Sequence, residues 1–384
     1  MSRMATEIPF HRPSLSELEK QYLLAALEER YWGGGVWVER VESALKVLYD
    51  REVVVVSSGT AALHVALSLL LAGRGGEVIV PTWTFTATAS EVIHAGGTPV
   101  LVDVGPSLHL TPEVVEAALT SRTKGVIVVH YAGEAAPICA IRELCDRHGL
   151  WLIEDTCHAL PAYYEGKLCG TFGEIATLSF HATKPVAAGQ GGALLIRDRQ
   201  EAERARRLRR HGWVRSTQVP WEYEVVELGW NYSLSDFQAA VALAQIERLQ
   251  ETWSARKRLA QIYSRALQPV QDIELYSVRQ FEEAGWHLFP IFWKGASLAD
   301  KNRLLERMQR RGYPLNVHYK PLHLHAAYRP YLSPSRTFPV AERAYQEEIS
   351  LPLWPDLPES QAWAVVEVLR EELRRFDGRK SVYR

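Results

Sequence analysis

The chain has 384 residues, 47% of them hydrophobic, and a formal net charge of -1. That length exceeds what one hydrophobic core usually serves and predicts two domains. The balanced charge excludes a sequence-wide attraction to nucleic acid or to an anionic membrane, which leaves a small molecule as the expected partner. The opening MSRMATEIPFHRP lacks the apolar run of a secretory leader, and no apolar stretch is long enough to span a bilayer, so a cytoplasmic protein is expected. Cys139, Cys145, Cys157 and Cys169 form no CxxC pair and predict reduced thiols rather than a disulfide framework or a metal site.

From residue 52, short β-rich runs alternate with helical stretches. VVVV (53 to 56) is followed by SSGTAALHVAL (57 to 67), a Ser/Gly/Thr turn opening a helix with Gly59-Thr60 at its start. Backbone N–H groups and the helix dipole at such a turn suit a phosphate. An ordinary helix cap looks the same, and neither GxxxxGK nor GxGxxG is present. VIV (78 to 80) leads into PTWTFTATAS, where Phe85 either stacks on a flat ring or fills the core, with Trp83 as its rival. PVLVDV (99 to 104), Thr111-Pro112 as helix cap and first turn, VIVVH (126 to 130) and WLIED (151 to 155) continue the alternation. Runs this rich in Val, Ile and Leu predict parallel strands buried on both faces, hence an α/β large domain with a mostly parallel sheet flanked by helices. Asp155 ends WLIED, and ligands of open α/β sheets sit at the carboxyl ends of strands. It is either the acid that keeps a cofactor ring nitrogen protonated or a cap after the strand.

In LSFHATKPVAAGQGGALL (178 to 195), Lys184 lies between a buried strand end and the glycines Gly189, Gly191 and Gly192. Those glycines permit positive φ and a close backbone approach to a ligand. A lysine there is either a solvated surface group or a partly desolvated, nucleophilic amine of the kind Schiff-base chemistry needs. A nucleophilic lysine, an acid for a pyridinium nitrogen, a phosphate cradle and a stacking ring are together what pyridoxal phosphate (PLP) requires. RARRLRR (204 to 210) reads as a solvated helix face and not a nucleic-acid patch, given the balanced charge. Ser235 and Gln238 form a capping-box pair opening a long helix to about Ala266. This helix bridges a large domain, residues 1–250, and a smaller α+β domain, residues 251–384.

In order, SSGTAALHVAL, EVIVPTWTFTATA, EDTCHAL, LSFHATKPVAAGQGGALL, NYSLSDFQAAVALAQIERL, VHYKPLH and ISLPLWPDL resemble the nucleotide-sugar aminotransferases of the DegT/StrS type. These are PLP enzymes of the aspartate aminotransferase fold, fold type I, and the resemblance covers nearly the whole chain. It implies Lys184 as the Schiff-base lysine, Asp155 as the partner of the ring nitrogen and His158 against the ring near its 3-hydroxyl. It implies Ser58, Gly59, Thr60 and Ser179 at the phosphate and Phe85 as the stacking aromatic. Asn231 matches an asparagine that reaches the phosphate of the neighbouring subunit, which implies a homodimer with shared active sites. Tyr31, Trp32, His318, Tyr319 and His323 resemble segments on the sugar side, whereas Ser233 and Gln190 stand where the family often has an arginine and an acid.

The implied reaction moves an amino group from L-glutamate to a keto group of a nucleotide-linked sugar. His181 and the short run from Lys184 to the glycine pair resemble the 4-aminotransferases, and so point to a UDP- or dTDP-linked 4-keto-6-deoxy hexose aminated at C4. The alternatives are a 3-keto sugar nucleotide, a keto-cyclitol, or a PLP-binding regulatory protein without turnover. Related sugar dehydratases carry histidine in place of Lys184.

Overall fold

The computed structural model describes residues 8–219 and 221–380. Seven strands form the central sheet: β1 (Glu52–Val56), β2 (Glu77–Pro81), β3 (Thr98–Val102), β4 (Thr123–Val129), β5 (Trp151–Asp155), β6 (Ile175–Ser179) and β7 (Gly192–Ile196). Their order is β1-β7-β6-β5-β4-β2-β3. The pairs among β2 to β6 are parallel. β7, an element absent from the expected alternation, runs antiparallel to both β1 and β6. No crossover helix separates β6 from β7, so the two pair antiparallel. The connection between them is the loop that carries Lys184. β1 to β6 therefore all end on one edge of the sheet, where open α/β sheets bind ligands.

The valines of β1 and the apolar centres of β2, β4 and β5 are buried, and helices cover both faces of the sheet. The helix Gly59–Leu71 starts behind β1 with Ser58 as its cap, one residue earlier than expected, and Ser58 Oγ accepts from the Ala61 N–H at 3.0 Å. Thr111 caps the short helix Pro112–Glu116 as expected.

The helix expected from Ser235 to Ala266 is two helices, Asp236–Glu247 and Leu249–Leu267, broken at Arg248. Arg248 is pinned there by Glu19 at 2.7 Å and Glu251 at 2.9 Å. The Gln238 side chain meets the Ser235 hydroxyl at 2.9 Å, in place of the backbone N–H that a capping box uses.

Within RARRLRR, Arg204 pairs with Glu227 at 2.9 Å and Arg206 with Glu203 at 2.8 Å, but Arg206 and Arg209 are half-buried and also bond Val53 O and Val55 O, so the face is charge-paired and partly packed rather than solvated.

A second apolar cluster gathers Tyr263, Phe289, Ile291, Trp293 and Leu369. It is built on the antiparallel strands Ile273–Leu275, Phe289–Trp293 and Glu348–Leu351, with the helices Leu298–Arg310 and Glu359–Lys380. Ile8 joins this cluster from the far end of the chain, with its N–H donating to Gly312 O at 3.1 Å. Leu322, Tyr328 and Phe338 pack instead into the core under the large sheet. Among the described residues no helix is long and apolar enough to cross a membrane, and all four cysteines are free thiols.

Candidate active site

The strand ends of β1, β5 and β6 open into a cavity of about 290 Å³. Lys184 reaches it from the β6–β7 loop, in a turn closed by its own N–H donating to His181 O at 2.8 Å. Gly189 and Gly191 take φ of +76° and +142° to bring the chain back into β7. The lysine is half-buried and forms no ion pair among the described residues. Burial holds its pKa below the ordinary lysine value, against the opposing pull of Cys157 and Asp155. A smaller cavity of about 100 Å³, bordered by His11, His287 and Asn316, lies against the same lysine. Lys184 thus lines two spaces.

The residues fit the cofactor implied by the sequence. Ser58 Oγ accepts from the Ala61 N–H and keeps its own O–H, and the N–H groups of Gly59 and Thr60 at the helix start are free for an anion. A Cβ on Gly59 would come within 2.8 Å of Ser179 Cβ, so only glycine keeps this floor open. Asp155 is 6% exposed; its Oδ2 accepts from Thr88 Oγ1 at 3.0 Å and its Oδ1 from the Cys157 N–H at 3.2 Å. It is the one carboxylate among the described lining residues. Phe85 stands 55% exposed in the cavity wall, whereas Trp83 is fully buried, edge-on to Tyr131. The flat face available for stacking is therefore that of Phe85.

His158 and Tyr319 are joined. His158 Nδ1 accepts from the Ala132 N–H at 3.3 Å, and burial keeps the ring's pKa well below the ordinary histidine value. A neutral ring that accepts at Nδ1 carries its proton on Nε2. Nε2 lies 2.9 Å from Tyr319 Oη and donates to it, so the Tyr319 hydroxyl keeps its own proton for another acceptor. The charge on Lys184 adds to burial in lowering the pKa of His158, His181 and His318. A site with this positive bias favours anionic ligands.

The other residues singled out in the sequence lie elsewhere. Asn231 is exposed and does not line its own chain's cavity; its backbone bridges to Arg210. Tyr31 and Trp32 are 60% and 49% exposed, and Trp32 packs on Phe237 with ring centres 5.1 Å apart. His323, expected on the sugar side, does not line its own chain's cavity: its ring stacks on Phe338 at 4.0 Å and Nδ1 meets Thr82 Oγ1 at 2.7 Å. His318 and Tyr319 do line the cavity, together with Gln190 and with Thr84, Thr88 and Cys157, which sequence reasoning missed. The two threonines lie in the stretch singled out for Phe85, and period-four spacing at the helix start there was the available signal.

The model of the DegT/DnrJ/EryC1/StrS aminotransferase family matches residues 13–370, and the chain belongs to that family. It is similar to the aminotransferase TlmJ from Streptoalloteichus hindustanus, with 30% identity and a TM-score of 0.90 over 96% of this chain and 100% of that one. It is likewise similar to Helicobacter pylori PseC, an aminotransferase involved in the biosynthesis of pseudoaminic acid, with 27% identity and a TM-score of 0.91 over 96% and 100%. A third likeness is to Spr1654 from Streptococcus pneumoniae in its PLP form, with 27% identity and a TM-score of 0.90 over 96% and 99%. The protein is an aminotransferase of the PLP-dependent fold, and PLP is its cofactor.

Proposed function

We propose that the enzyme transfers the amino group of L-glutamate to a keto group of a nucleotide-linked sugar, a UDP- or dTDP-linked 4-keto-6-deoxy hexose that it aminates at C4. The observation that carries this reading is the short loop from Lys184 to Gly191 and Gly192, of which Gln190 lines the cavity wall together with the lysine. One inserted residue would move that wall by up to about 3.5 Å, enough to change which sugar carbon is presented.

Bound PLP supplies an electron sink that acidifies the donor Cα–H and carries the amino group between the two substrates. Lys184 would hold PLP covalently and then hold and move a proton at Nζ, a task eased by its lowered pKa. Asp155 would keep the ring nitrogen protonated. The Gly59 and Thr60 N–H groups, with Ser58 and Ser179, would hold the phosphate, while Phe85 covers one face of the ring. His158, neutral and fixed by Ala132, would turn the Tyr319 O–H toward a ligand. Tyr319 and His318 would meet the substrate.

The same reading makes Asn231 a phosphate ligand of the neighbouring subunit in a homodimer. Its place outside its own cavity supports this, as does the exposure of Tyr31, Trp32, Trp221 and Leu228. The free thiols support a cytoplasmic location. The second apolar cluster supports a boundary at residue 250 between large and small domains, with Ile8 crossing into it and Leu322, Tyr328 and Phe338 crossing back into the large core.

The test is a competition assay with the 4-keto and 3-keto sugar nucleotides and L-glutamate, with the aminated carbon read by NMR. Amination at C4 is expected. Preferential amination at C3, or of a free keto-cyclitol, would replace the proposed acceptor.

A further inference from the structure

Behind His318 lies a buried polar cluster that the reading above leaves unused. Glu348 and Ser350 are both fully buried on the strand Glu348–Leu351, two residues apart and so on one face. Ser350 Oγ lies 2.6 Å from Glu348 Oε1 and 2.9 Å from His318 Nδ1. Glu348 Oε2 accepts the His318 backbone N–H at 2.9 Å, and Tyr131 Oη donates to the His318 carbonyl at 2.7 Å. His318 is thus held at its N–H, its carbonyl and Nδ1. Its remaining polar atom, Nε2, belongs to a ring that lines both cavities beside Lys184.

We propose that Glu348, Ser350 and His318 form a proton relay, in which Ser350 couples the ionisation of Glu348 to the nitrogen of His318 that carries the proton. When Glu348 is a carboxylate, Ser350 donates to it and must accept from Nδ1–H, so Nε2 offers the cavity a lone pair. When a proton arrives at Nε2, the Nδ1 proton passes to Ser350 Oγ and the Ser350 proton passes to Glu348 Oε1. One proton has entered at the cavity, one now rests on Glu348, and the imidazole has stayed neutral. The reverse sequence delivers a proton from Nε2 to a ligand.

Glu348 and Ser350 are positioning residues here, and the relay stands on these hydrogen bonds whichever ketone is the substrate.

The charges around the relay agree with it. Burial and the Lys184 charge hold the His318 pKa down to about 3, so an imidazolium does not form near neutrality. Burial pushes Glu348 up to about 8, against the Ser350 hydrogen bond and the Lys301 charge. Lys301 faces Glu348 from over the Tyr345 ring at 4.8 Å, with its ammonium donating to Tyr345 O; burial lowers its pKa to about 8 against the pull of Glu348, so the two groups titrate as a pair. The phenols of Tyr131 and Tyr319, which also feel Glu348, are kept protonated by burial. Lys184 and the neutral His158 face His318.

The experiment is long-range 15N–1H NMR of the PLP-loaded enzyme labelled in histidine, with the His318 signals assigned by their loss in His318→Gln. A neutral ring is expected throughout, with its proton moving from Nε2 at low pH to Nδ1 at high pH around a midpoint near 8. Ser350→Ala should abolish that movement between about pH 6.5 and 9.5. Glu348→Gln, whose amide donates to Ser350 at every pH, should hold the proton on Nε2. A single unchanging tautomer in the unaltered enzyme, or the same transition in either variant, would overturn the relay.

Discussion

Asp155 and His318 line one cavity and are held in place by different means. Asp155 ends a parallel strand and is fixed by Cys157, its near neighbour, and by Thr88 from the helix Ala87–His94 that follows β2. His318 sits in a loop and is fixed by Tyr131, Glu348 and Ser350, none of them near it in the chain. Parallel strands end on one edge, so short turns after them bring the cofactor-side residues together. The other side is assembled by tertiary contacts between a loop, the small sheet and the large core. The cofactor side should therefore carry the chemistry, and the His318 side should tune it.

The largest expected effect is that of Lys184→Ala, which should abolish glutamate-dependent amination while circular dichroism and melting temperature stay near those of the parent. Residual turnover above background would separate the lysine from the chemistry. Asp155→Asn should lower kcat by roughly 10²–10³-fold or more, because an amide cannot stabilise the charge of the ring. Ser350→Ala should lower it by much less, and equal losses at the two positions would erase the contrast between the two sides. A sharper pair is Trp83 and Phe85. Trp83→Ala should cost about 3–5 kcal/mol in denaturant unfolding. Phe85→Ala should change stability by less than about 0.5 kcal/mol yet weaken PLP retention, as read by dialysis and absorbance.

The effect furthest from the chemistry concerns pH and stability. Burial depresses His109 to about 3 and His11 to about 4. Both folded pKa values lie below the unfolded value of about 6.5, so these neutral rings contribute stability that is complete above that pH and lost as pH falls toward 4 and 3. For His109, which is 2% exposed, the slope is up to about 1.4 kcal/mol per pH unit. His109→Gln should flatten the fall of melting temperature between pH 6.5 and 4, and an unchanged fall would remove His109 as a cause.

The contrast also explains what could be read from the chain. The apolar runs of β1 to β6, the Ser58 turn and the lysine before its glycines are local patterns, each carried within about ten residues of sequence. β7 escaped because its run follows directly on the glycine cluster, with no helical stretch to separate it from β6. The break at Arg248 depends on Glu19, far away in the chain. Asp236 caps the helix Val36–Tyr49 from across the fold, with Oδ2 accepting from the Gly35 N–H at 2.8 Å and Oδ1 from the Trp37 N–H at 3.1 Å. His323 sits in a motif beside true cavity residues and still turns into the core, because Thr82 and Phe338 receive it. Glu348 and Ser350 left one trace, a carboxylate and a hydroxyl inside the otherwise apolar run EISLPL. Their partner His318 lies 30 and 32 residues upstream in VHYKPLH, and neither stretch points to the other.

The chemistry of the cavity turns on one lysine. Borohydride reduction of the PLP-loaded enzyme, followed by proteolysis and mass mapping, reads that position directly. The label is expected on the peptide carrying Lys184, with none elsewhere at stoichiometric yield. Stoichiometric label on any other lysine, with Lys184 unmodified, would contradict the account.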